Sequence, residues 1–169
     1  MSLSALAIAI AAGVSGSIGR TDELNILTSA ISEAFGLTFA LGTGANQANG
    51  MYTDTNTLAD DASITLDFSD SSLSGPLAEA IDFAILKALV IKNDDSAAGL
   101  IIGNAAATQL GIFGSGTHTL LLPPGGVFIW TAPDATGLDV TTNDALKLTH
   151  DGTGAATLSY DIVALGVQT

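Results

Sequence analysis

From Leu37 onward the chain never holds one pattern for long: short apolar runs of period two are broken by Gly, Pro, Asn, Asp or Ser about every ten residues. Leu37-Thr38-Phe39-Ala40-Leu41 places three large apolar side chains on one face, and Ile64, Leu66 and Phe68 do the same against Thr65, Asp67 and Ser69. In 86–92, Leu86, Ala88 and Val90 alternate with Lys87, Leu89 and Ile91, so both faces are expected to be covered. Further runs at 51–57, 100–102, 117–122, 127–131, 140–141, 145–149 and 158–165 follow, set apart by turns such as Pro123-Pro124-Gly125-Gly126 and Ala132-Pro133-Asp134. Runs this short cannot carry helical periodicity, and no fixed repeat marks a solenoid or propeller. The spacing predicts an all-β protein, an antiparallel jelly-roll β-sandwich of about eight to ten strands. Its inward side chains are expected to include Phe39, Leu66, Phe68, Val90, Ile101, Leu121, Phe128, Ile162 and Ala164.

Two segments depart from this pattern. Gly75-Pro76 opens a short helical candidate over 77–83, with proline in its first turn. Over 21–35, Leu24, Leu27, Ile31 and Phe35 recur at helical spacing behind a Thr21 cap, whereas Leu24, Ile26 and Thr28 alternate as a strand would. The flanking β pattern tilts the reading towards strand. At the N-terminus, Leu6, Ile8 and Ile10 alternate with Ala5, Ala7, Ala9 and Ala11, which predicts a strand over 3–12 despite the helical preference of alanine. A Gly/Ser-rich joint, 13–19, follows it. The expected division is therefore an N-terminal β arm, 1–36, serving as an exchange segment, and a jelly-roll domain, 37–169.

Charge narrows the partners. Four Lys and Arg face 17 Asp and Glu, a net charge of −13, so the chain repels phosphate backbones and no nucleic-acid partner is expected. The apolar N-terminal run is too short to span a membrane and no basic residue precedes it, so neither a membrane partner nor a secretory signal is expected. Charged residues are only 12% of the chain, about half the usual share of roughly 25%. A surface this poor in charge suits burial against other copies, and a homo-oligomer, a trimer, is expected. Leu6, Ile8, Ile10 and Trp130 are the candidate interface residues.

The residue types that carry chemistry are sparse. There is no cysteine, and the two histidines, His118 and His150, stand apart without further ligands at zinc spacing. Asp60-Asp61 and Asn93-Asp94-Asp95 lack the spacing of a calcium loop and read as solvated turns. Gly42-Thr43-Gly44 lacks the Lys-Ser/Thr of a phosphate loop, and no Gly-x-Ser-x-Gly elbow is present. Tyr52 and Tyr160 have no aromatic neighbours in sequence, and Trp130, at the end of Val127-Phe128-Ile129, reads as a half-buried core or interface residue rather than a sugar platform. No catalytic, cofactor-binding or metal-binding residue is expected, and no cofactor.

One series of segments carries a resemblance. Gly42-Thr43-Gly44-Ala45-Asn46-Gln47-Ala48, Thr57-Leu58-Ala59, Ile64-Thr65-Leu66-Asp67-Phe68 and Lys87-Ala88-Leu89-Val90-Ile91-Lys92-Asn93 follow in order, then Leu122-Pro123-Pro124-Gly125-Gly126-Val127-Phe128 and Tyr160-Asp161-Ile162-Val163-Ala164-Leu165-Gly166. Over about residues 37–166 this resembles a family of small tailed-bacteriophage virion proteins. The resemblance implies a β-sandwich virion component, a head decoration or cement protein on the outer capsid surface, with the major capsid protein as partner. The competing expectation is a head-fibre or tail appendage that binds a host receptor or glycan.

Overall fold

The computed structural model describes residues 4–22 and 25–169, and it is all-β apart from two single 3-10 turns, Ala106–Thr108 and Gly111–Phe113. β1 (Ala7–Asp22) and β2 (Asn25–Leu41) pair antiparallel as one long ribbon, in unbroken register from Ala7 opposite Ala40 to Asp22 opposite Asn25. β3 (Gln47–Ala48) lies parallel to the end of β2. β4 (Gly50–Ala59), β5 (Ser63–Asp67), the small hairpin of β6 (Leu73–Ser74) and β7 (Ala80–Ile81), and β8 (Phe83–Asn93) come next. β9 (Leu100–Gly103), β10 (Thr119–Leu122), β11 (Val127–Thr131), β12 (Leu138–Asp139), β13 (Ala145–His150) and β14 (Thr157–Gln168) complete the chain.

The body consists of two antiparallel sheets. One has the order β11-β8-β14-β4, with β12 also on β8, and the other the order β10-β9-β13-β5. Leu89, Ile91, Leu158, Tyr160 and Ile162 from the first and Leu66, Leu100, Ile102, Leu146 and Leu148 from the second meet in one buried cluster. Phe68 stacks on Phe83 with ring centroids 6.1 Å apart, and Tyr52 meets Phe68 edge-on at 6.2 Å. Tyr52 is thus a core side chain, given aromatic neighbours by the fold that the sequence order conceals.

Several expectations are corrected by this arrangement. Residues 77–83 form no helix. Pro76 begins a tight turn between β6 and β7, in which the Ala78 N–H donates to the Gly75 carbonyl and Ala78 takes φ +62°. The Gly75 N–H donates to the Glu79 carbonyl at 2.8 Å and closes the β6–β7 hairpin, while the Glu79 carboxylate takes the Leu77 N–H at 2.9 Å. Val90, Ile101 and Leu121 do not face the core. In β9 the inward residues are Leu100 and Ile102, and in β10 Leu122 turns in while Leu121 is 56% exposed. In β8 the pairing with β14 skips Lys87, a bulge that shifts the parity, so Leu86, Leu89 and Ile91 all reach the core and Val90 points away.

The 21–35 segment is strand at its described positions, and the Gly/Ser-rich joint does not interrupt β1. Its glycines and serines exclude a helix in β1, and β2 supplies the backbone partners that hold it extended. Leu3 and Leu24 lie outside the described residues. The expected boundary at 36/37 falls within the continuous strand β2.

Candidate functional site

The two ends of the ribbon have unlike surroundings. Cross-strand partners share a face, so Ile8, Ile10, Ala12, Val14 and Gly16 of β1 line up with Phe39, Leu37, Phe35, Glu33 and Ile31 of β2, and Leu6, just before β1, packs with the same group. The opposite face is built from Ala7, Ala9, Ala11, Gly13 and Ser15 against Ala40, Thr38, Gly36, Ala34 and Ser32. Near the body the apolar face is covered. Leu6, Ile8, Ile10 and Leu37 pack around Phe39, Ala48, Ala88 and Leu165, with Met51 alongside, on the outer surface of the five-stranded sheet. Phe39 is 1% exposed, but it is buried here, outside the main core, and not between the two sheets. The candidate interface residues Leu6, Ile8 and Ile10 are therefore half-buried against their own chain.

Farther out the same face has nothing over it. Every residue of 11–17 and 28–36 is exposed, with Val14 at 61%, Ile31 at 40% and Phe35 at 64%. Beside the point where cover ends, a groove of about 440 Å3 opens between the ribbon and the edge strand β11, lined by Ile10, Phe35, Leu37, Ile129, Thr131 and Pro133 among others. β11 turns Phe128 and Trp130 inward against the main core and leaves Val127 51% and Ile129 41% exposed on the outer face. Trp130 is thereby half-buried in the core, separate from Leu6, Ile8 and Ile10. The sequence picked out Leu6, Ile8 and Ile10 but not Val14, Ile31, Phe35, Val127 or Ile129. In β11 the available signal is size: the two aromatic residues alternate with Val127 and Ile129 and take the inner face.

The groups with chemical potential are engaged in holding loops. His118 and His150 sit at opposite ends of β9, whose Gly103 pairs with Thr119 and whose Leu100 pairs with His150. His118 Nδ1 bonds the Phe113 carbonyl at 2.8 Å, and His150 Nδ1 accepts the Gly152 N–H at 3.0 Å. Asp60 and Asp151 lie 3.7 and 3.8 Å from that His150 nitrogen, beyond hydrogen-bond range. Among the described residues no group of three His, Asp or Glu side chains is placed to hold a metal ion. Asp95 accepts the N–H groups of Ala97 and Ala98, and the Ala98 bond foremost holds its carboxyl below the usual range. Hydrogen bonds from Thr136 and Gly137 do the same for Asp134.

Of the four cations, Lys87 is completely buried. It donates to the carbonyls of Asp134 and Ala135 and ties the 132–137 loop to β8, and burial lowers its pKa. Gly137, at φ +56°, lets this loop pass: a Cβ there would lie 2.4 Å from Ile85 and 2.9 Å from the Leu86 carbonyl. Lys92 pairs with Asp94. Tyr160 is buried, and desolvation pushes its hydroxyl up to about 12; Tyr52 is raised further by the same cause, with Asp54 at 3.3 Å adding to it.

No family model, no curated protein and no solved structure matches this chain. The apolar face shared by the outer ribbon and β11 is the surface best suited to a partner.

Proposed function

We propose that the chain is a non-enzymatic structural component of a tailed-phage virion, a decoration protein that attaches to the major capsid protein on the outside of the head and stiffens the shell as a homotrimer. The observation that carries this reading is the outer ribbon, a long two-stranded element with an uncovered apolar stripe and very little charge. A two-stranded hairpin is marginal in water without a surface to pack on, so an element of this kind suits a protein built to attach.

The strand order supports a jelly-roll body with an N-terminal arm. Counted along the chain, β4, β5, β8, β9, β10, β11, β13 and β14 fall as first-eighth-third-sixth and second-seventh-fourth-fifth across the two sheets, the pattern of an eight-stranded jelly roll, an architecture used in viral capsids. Charge distribution supports an outward position. Arg20 against Asp22, Glu23 and Glu33 leaves residues 1–41 at −2, so −11 of the total −13 falls on 42–169. Such a body would repel packaged DNA at every copy. With Lys87 buried and Lys92 already paired, attachment rests on apolar and backbone contacts, and head binding is expected to vary little with salt.

Labelling the protein on purified particles in electron micrographs tests the location, and comparing heads with and without it for heat-induced rupture tests the role. Label on the head shell with rupture shifted to higher temperature is the expected result. Label confined to tails or fibres replaces this reading with the appendage.

A further inference from the structure

We infer that the outer part of the N-terminal ribbon docks onto the ribbon-β11 groove of a second copy of this chain, head to tail, with Val14 and Ile31 as the donor surface and Ile10, Phe35, Val127 and Ile129 as the acceptor. The docking rests on the self-association in the proposed function, and not on the virion.

Three observations carry it. First, the donor stripe continues an interface that already exists. Leu6, Ile8, Ile10, Leu37 and Phe39 seat on the outer face of the five-stranded sheet, and Val14 and Ile31 extend that same face past the body. The exposed residues 12–17 reach about 20 Å at about 3.3 Å per residue, more than the roughly 14 Å from β11 to β4 across the four-strand order. The stripe is long enough to cross a neighbour's sheet. Second, the acceptor lies beside the last covered row of that sheet. Ile129 and Thr131 sit across from Val90 and Ala88, and Ala88 is already under the ribbon's own inner half. A second ribbon laid there widens the surface that the first one covers.

Third, charge restricts where two copies can meet. Each copy carries −13, of which −11 falls on 42–169, so contacts between two bodies tend to bring carboxylates together. Among 11–17 and 28–36 the single ionisable residue is Glu33, and β11 has none. Donor and acceptor are therefore the low-charge surfaces through which equally acidic chains can approach. Because the two patches differ, the contact is heterologous, and it gives a closed ring when the rotation per copy closes.

The test uses the full chain. A donor variant, Val14→Asp with Ile31→Asp, and an acceptor variant, Val127→Asp with Ile129→Asp, are each weighed by light scattering alone and in equal mixture. All four positions are exposed, so far-ultraviolet circular dichroism and thermal midpoint are expected to match wild type. Should an aspartate pair fail to fold, the threonine pair at the same positions replaces it. Wild type is expected to be oligomeric and each variant a 16.9 kDa monomer. The mixture is expected to form a 1:1 dimer of twice that mass, since it retains one intact donor and one intact acceptor. A monomeric wild type, variants that keep the wild-type mass, or a mixture that stays monomeric overturns the docking. If the mixture dimerises while heads carry no label, the virion reading fails and the docking stands.

Discussion

The body and the ribbon are both antiparallel β-structure, yet their side chains are disposed in opposite ways. In the body, β14 sends Leu158, Tyr160, Ile162 and Ala164 in turn into a cluster whose members are almost entirely buried, and Phe83, Leu89, Leu100, Ile102 and Tyr160 have no exposure at all. In the ribbon, a register of sixteen consecutive pairs brings together mostly alanine, glycine, serine and threonine, and only the part nearest the body reaches a second layer. Backbone pairing is equally regular in both. The difference lies in whether a surface covers the apolar face, because net stability comes from buried apolar area while ladder hydrogen bonds largely replace bonds to water.

The largest effect that separates the regions is expected in the core. Phe83→Ala removes a ring that stacks on Phe68, and global stability should fall by about 3–5 kcal/mol in denaturant unfolding. A loss under about 1 kcal/mol would mean that the two sheets do not share one packed core. Phe39→Ala acts at the joint between the regions. It should weaken ribbon seating by about 2 kcal/mol, below the usual phenylalanine range, since the ribbon is free to settle into the gap. The expected readout is faster amide exchange in both strands of the ribbon with the body's exchange unchanged. Equal acceleration in the body would erase the distinction.

An alkaline titration reaches the body alone. Tyr160 holds its proton up to about 12, and Tyr52 is shifted the same way, against about 10 for tyrosine in an unfolded chain. Between those values the unfolded state binds fewer protons than the folded one, so stability falls as pH rises past 10, and this contribution is gone above about 12. Tyr160→Phe should flatten the decline, and an unchanged slope would show that its hydroxyl is not shielded. The smallest effect belongs to the outer ribbon. Phe35→Ala should alter the stability of dilute protein by no more than about 0.5 kcal/mol, as at other exposed positions.

The sequence carried the all-β class and most strands, because period two and turn residues are local properties. It also carried the inner half of the ribbon, where Leu6, Ile8 and Ile10 alternate with alanine. What it did not carry depends on partners distant in the chain. The bulge at Lys87 arises from pairing with β14 and reverses parity for Val90. The turn at 76–79 resembles a helix start until Ala78 takes a positive φ and the Gly75 N–H pairs with the Glu79 carbonyl across the hairpin. The acceptor face of β11 becomes visible only once β11 is known to be an edge strand whose aromatic residues point inward. The bareness of Val14, Ile31 and Phe35 is likewise a property of where the ribbon leaves the body.

Amide hydrogen exchange of the full chain across a dilution series tests most directly whether the outer ribbon is ordered by a neighbouring copy. At high concentration, residues 11–17 and 28–36 should be protected, and on dilution to monomer they should exchange orders of magnitude faster while β8, β13 and β14 keep their rates. Ribbon protection that is the same at every concentration would contradict the account, because it would mean that the two strands hold together without any surface to cover them.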